Sequence, residues 1–108
     1  MDAPVLVYTT YPSLVEAETA GKGLVEAGLA ACVNIIPEMI SIFRWKGQVE
    51  RGAEVIMIVK SRDSLKERVA DAVRAGHPFE TPAILFLPTG GGDKNYVSWI
   101  LEETAGAT

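Results

Sequence analysis

The chain has 108 residues, 48% of them apolar, and a formal net charge of −4. That length supports one domain, spanning residues 1–108, with a core that needs no disulfide or metal staples. The 10 basic residues are scattered rather than striped, which argues against nucleic acid as a partner, and the longest apolar runs are too short to span a bilayer. No basic stretch followed by an apolar one opens the chain, so no secretory leader is expected. Cys32 is the single cysteine; it excludes an internal disulfide and fits a cytoplasmic location.

"PVLVYTT" (residues 4–10) is apolar and β-branched without clean alternation, which predicts a central strand. Ser13 is a helix N-cap with Glu16 completing a capping box, and Leu14, Val15, Ala17, Ala20, Leu24 and Ala27 recur at helical spacing up to Gly28. Gly21 and Gly23 weaken that helix by roughly 1 kcal/mol each, so close packing on a sheet is expected to compensate. "LAACVNIIPEMISIFRW" (29–45) reads as a long strand with a bulge at Pro37. Lys46-Gly47 then turns it back into a second long strand, giving an antiparallel hairpin.

Asp63 is the expected N-cap of a second helix, with Leu65, Val69, Ala72 and Val73 on one face and a stop at Gly76 and Pro78. "PAILFLP" (82–88) is a fourth strand, and after "TGGGD" (89–93) a short helix carries Tyr96, Val97, Trp99, Ile100 and Leu101. Residues 104–108 are expected to fray.

The order βαββαβ plus a terminal helix predicts an α+β fold, the split βαβ or ferredoxin-like sandwich with a long β2–β3 hairpin. The tight Lys46-Gly47 turn opposes the alternative, a doubly wound parallel sheet. Two helices cover only one face of such a sheet, yet Val55–Val59 ("VIMIV") and Ala83–Leu87 ("AILFL") are apolar on both. A self-associating protein is therefore expected, with Met57 or Phe86 as the side chain meeting the neighbour.

Little in the chain points to catalysis, and no enzyme is predicted. "TGGGD" lacks the spacing of a phosphate loop and reads better as a connector. Cys32 has no local base and behaves as a small buried hydrophobe unless it ligates a metal. His77 is the only histidine, set between Gly76 and Pro78 with Glu80 nearby. One imidazole does not make a metal site, but a symmetric oligomer could gather several or join His77 to Cys32, a pairing that suits copper or zinc.

"GLAACVNIIP", "SIFRWKGQVERGAEVIMIVKS", "GHPFETPAILFLP" and "YVSWI" together resemble the CutA family of divalent-cation tolerance proteins, over almost the whole chain. The resemblance implies a ferredoxin-like subunit in a homotrimer, with the long hairpin pairing onto a neighbour's sheet. It further implies a non-enzymatic role in tolerance to divalent metal ions, with Cu²⁺ or another divalent cation bound at His77 and Cys32. Cys32 matches the family's "LAAC" cysteine, while Thr9 and Gly76 stand where some relatives carry a further cysteine and histidine. The fold is similar to that of PII signalling proteins, which gives an alternative function. In it, an intersubunit cleft lined by Trp45, Lys60, Glu80, Tyr96 and Trp99 would hold a small molecule or anion.

Overall fold

A computed structural model describes residues 2–107. Strand β1 (Pro4–Tyr11) leads into helix α1 (Leu14–Glu26), strands β2 (Cys32–Trp45) and β3 (Gln48–Arg62), helix α2 (Lys66–Gly76), strand β4 (Ile84–Pro88) and helix α3 (Lys94–Glu103). The four strands form one antiparallel sheet in the order β2-β3-β1-β4. This is the expected α+β architecture, with the strand order of a split βαβ unit.

The local signals explain much of it. Ser13 caps α1, its hydroxyl accepting from the Glu16 N–H at 3.3 Å, and Gly28 ends the helix at φ 73°. Lys46 (φ 50°) and Gly47 (φ 81°) both take the left-handed conformation, the two-residue hairpin turn whose twist matches the flanking strands. The β2–β3 register breaks between Ile36 and Met39, with Glu38 at φ 63°, so Pro37 lies in a bulge as expected.

Helix α2 departs from the sequence reading. Asp63 opens a 3₁₀ turn (Asp63–Leu65), and α2 begins after it with no side-chain cap. The Asp63 backbone N–H is held by the Ala3 carbonyl at 2.8 Å, which ties the segment to the start of β1, and its carboxylate accepts from Lys66 instead of capping. Ala70, rather than Ala72, joins Leu65, Val69 and Val73 in the interior.

The chain end also differs from expectation. Thr104 is buried and its hydroxyl donates to the Ile100 carbonyl at 2.8 Å, while Ala107 packs against the core beside Gly28. Thr104 and Ala107 thus have packing partners, while Ala105 and Gly106 between them are exposed; Thr108 lies outside the described residues.

Helices α1 and α2 cover one face of the sheet, burying Val7, Val55, Met57, Val59, Val69 and Val73. Helix α3 crosses only one end of the other face, where Tyr96 reaches Lys60. The rest of that face holds Ile36, Ile56, Ile58, Leu85 and Leu87, with Leu85 61% exposed. Met57 is wholly buried and Phe86 packs on the helix-side core, so both point away from any neighbour. Alternation along the strands places Ile58 and Leu85 on the open face instead.

Beyond the register of β1 the hairpin continues alone, since β1 pairs with β3 only from Val55 to Arg62. Ile42 (72% exposed) and Val49 (65%) are open there, as are Phe43 and Trp45.

Candidate functional site

His77 sits just past the end of α2. Its Nε2 lies 2.7 Å from the Thr10 carbonyl oxygen, and its Nδ1 accepts the Phe79 N–H at 3.1 Å. A carbonyl can only accept and an amide N–H can only donate, so this geometry fits a proton on Nε2 and a lone pair on Nδ1. It stacks on Tyr11 with centroids 4.4 Å apart and meets the Phe79 ring at 5.0 Å. Tyr11 is 1% exposed, and burial, with a smaller effect from Glu16, pushes its phenol up to about 12.

Cys32 is on the other level of the sheet. It pairs with Lys60, which pairs with Leu6 of β1. Thr10, which holds His77, is four residues further along β1, roughly 13 Å at the usual strand rise. Within the chain His77 and Cys32 therefore do not share a site. Among the described residues, no group of three or more His, Cys, Asp or Glu side chains could hold a metal ion.

Cys32 has its own neighbours. Lys60 Nζ donates to the Tyr96 hydroxyl at 2.8 Å, and that hydroxyl is 3.9 Å from the Cys32 Sγ. Tyr96 stacks on Trp99 with centroids 5.7 Å apart. The hydrogen bond from Lys60 to Tyr96 raises the lysine's pKa against the opposing effect of burial.

Trp45 and Glu80 belong elsewhere. They line a cleft of about 960 Å³ between the hairpin and the segment leading into β4, together with Tyr8, Thr10, Phe43 and Phe79. The five expected cleft residues thus divide into two groups: Trp45 and Glu80 here, and Lys60, Tyr96 and Trp99 around Cys32. Glu54, also on the cleft, accepts from the Thr10 hydroxyl at 3.2 Å. Neither Tyr11 nor Glu54 was marked by the sequence reading; partners 44 to 67 residues apart leave no short-range signal.

The class of protein follows from these features: an α+β chain with a split βαβ sheet, one apolar face incompletely covered, and a cleft under a long hairpin. A sequence profile described as "CutA1 divalent ion tolerance protein" matches residues 5–103. The chain belongs to that family. It is 40% identical over 99 residues to the divalent-cation tolerance protein CutA of Thermus thermophilus, covering 92% of this chain and 96% of that one. It is 38% identical over 97 residues to human Protein CutA, covering 90% of this chain and 54% of that one. The structure of Archaeoglobus fulgidus CutA, described as a periplasmic divalent cation tolerance protein, superposes with a TM-score of 0.91 at 44% identity, over 94% of this chain and 98% of that one. The chain spans little more than half the length of the vertebrate and plant relatives it matches, 54–62%.

Proposed function

We propose that this chain acts in divalent-cation tolerance as a non-enzymatic homotrimer, with copper or another divalent cation as the ion concerned. The family match over residues 5–103 carries the reading. The uncovered sheet face supports self-association: Ile36, Ile58, Leu85 and Leu87 form an apolar surface that the chain's own helices leave open. Direct metal binding in this reading draws donors from more than one subunit, because no described residues of one subunit form a ligand set. Cytoplasmic residence is part of the reading and is supported by a free thiol at Cys32, which a reducing compartment preserves. No helix among the described residues is long and apolar enough to cross a membrane.

The test is rescue of a bacterial strain made copper- and zinc-sensitive by loss of its own CutA protein. The wild-type chain is expected to restore growth under metal and to sediment as a trimer. Unchanged sensitivity with the protein well expressed refutes the tolerance role, and a stable monomer at micromolar concentration refutes the assembly.

The 960 Å³ cleft favours a second reading, a PII-like module that holds a small molecule or anion. Calorimetry separates the two: heat with nucleotides and none with Cu²⁺ or Zn²⁺ selects the module.

A further inference from the structure

His77 is the residue to which a metal role is most easily attached, and its surroundings give it a different one. We infer that His77 is the clamp that fixes the cleft wall at Pro78–Thr81, and that this bonding holds its ring out of metal coordination. An imidazole ligand presents a free lone pair to the ion and turns its N–H toward a second partner. Here the Nε2 proton faces the Thr10 carbonyl at 2.7 Å, which occupies the line on which a metal would approach. The Nδ1 lone pair already accepts the Phe79 N–H. A metal at Nδ1 displaces that amide, and a metal at Nε2 must expel a proton and push away a carbonyl. Tyr11 stacks on the ring and Phe79 tilts against it, so rotation out of this position breaks both ring contacts as well.

The same bonds connect three parts of the chain. The His77 N–H reaches the Arg74 carbonyl at the end of α2, the ring holds the end of β1, and its acceptor nitrogen holds the backbone of the turn toward β4. Thr10 carries the connection onward to Glu54 on β3. Thr10, Glu54, Phe79 and Glu80 all line the cleft, so His77 sets its shape from behind the wall without lining it. This role is independent of whether the chain confers metal tolerance.

The test uses the ¹⁵N-labelled wild-type protein. Long-range ¹⁵N–¹H correlation is expected to show a protonated Nε2 and an unprotonated Nδ1, with neither ring nitrogen shifting on addition of excess Zn²⁺. The opposite tautomer, or a saturable zinc-induced shift of either nitrogen, overturns the inference. In the metal-free protein, His77→Ala is expected to accelerate exchange of the Phe79 amide at least about tenfold. His77→Asn is expected to restore most of the protection, because its side-chain oxygen offers an acceptor near the place of Nδ1. Equal exchange in the wild type and His77→Ala overturns the clamp, since a residue serving only as a ligand leaves that amide unmoved when no metal is present.

Discussion

Met57 and Ile58 are neighbours on β3 and look in opposite directions. Met57 faces α1 and α2 and is wholly buried; Ile58 faces the side that only one end of α3 covers, and is half-buried. Both faces are apolar, with Val7, Val55, Val59 and Phe86 on one and Ile36, Ile56, Ile58, Leu85 and Leu87 on the other, and they differ in what the chain supplies to cover them. One is a finished core. The other is covered by the chain only at the end where α3 lies, and Leu85 and Leu87 remain exposed on it.

The largest expected effect tests that difference directly. Met57→Asp puts an unpaired carboxylate into a dry interior at a cost of several kcal/mol, comparable with a whole domain's stability of about 5–15 kcal/mol. Circular dichroism should show an unfolded chain at 25 °C. Ile58→Asp changes the adjacent residue and should leave the subunit folded while sedimentation shows the assembly lost. A folded Met57→Asp variant, or a fully assembled Ile58→Asp variant, erases the distinction between the faces.

A second pair of substitutions probes the same contrast inside one helix. A Cβ added at Gly21 would lie 2.6 Å from Val33 Cγ2 and 3.2 Å from Met57 Sδ. Valine is stiff at χ1 and cannot swing aside, so Gly21→Ala should cost about 1 kcal/mol or more even after the gain in helix propensity. Gly23, two residues on, has nothing within 4 Å, and Gly23→Ala should stabilise by up to about 1 kcal/mol. Urea midpoints of opposite shift are the expected reading; a Gly21→Ala variant as stabilised as Gly23→Ala would mean that α1 does not press on the sheet as described.

These cases show what was legible beforehand and what was not. Ser13, Gly28, Pro37 and Lys46-Gly47 each act within a few residues, and each did what its chemistry dictates. That both faces of β3 and β4 are apolar was also legible, and with it the need for a cover. Which residue faces which side was not, because continuous apolar runs lack the alternation that would assign Met57 inward and Ile58 outward. Asp63 opens a 3₁₀ turn tied through its N–H to Ala3, a partner remote in sequence, and its carboxylate accepts from Lys66 instead of capping. The separation of His77 from Cys32, and of Trp45 and Glu80 from Lys60 and Tyr96, depends on strand register, which no local pattern reveals.

The join between the chain's two ends should respond to acid. Asp2 accepts from the Ser64 N–H at 3.1 Å, from the Ser64 hydroxyl and from Arg62 at 3.3 Å. Arg62 also donates to Thr104 and to the Leu101 carbonyl, fastening α3 to the same point. The Ser64 hydroxyl is the main cause holding the Asp2 carboxyl below its ordinary 3.8, against the opposing effect of burial. A depressed folded-state pKa stabilises above the ordinary carboxylate range, and that contribution disappears as pH falls through the lowered value. Asp2→Asn should therefore melt below the wild type near neutral pH, with the difference closing in strong acid. A difference that stays constant across that range would remove the carboxylate from the join.

The smallest effect belongs to the uncovered face, at the end that α3 reaches. Tyr96→Phe deletes only the hydroxyl that accepts from Lys60 and approaches Cys32, and leaves the stacking on Trp99 in place. Tyr96 is 43% exposed, so the stability change should stay within about 0.5 kcal/mol. Its sign follows from the lysine. Lys60 has its pKa raised, chiefly by the hydrogen bond to Tyr96, so the charged form is favoured in the folded state. That contribution is fully present below the ordinary lysine value of 10.5 and is lost as pH rises through the raised one. The wild type should thus exceed Tyr96→Phe by a small constant margin from mildly acidic to mildly alkaline pH. Titration of the Lys60 side chain by NMR should give a lower pKa in the variant than in the wild type. An unchanged Lys60 pKa would mean that the hydroxyl does not hold the ammonium.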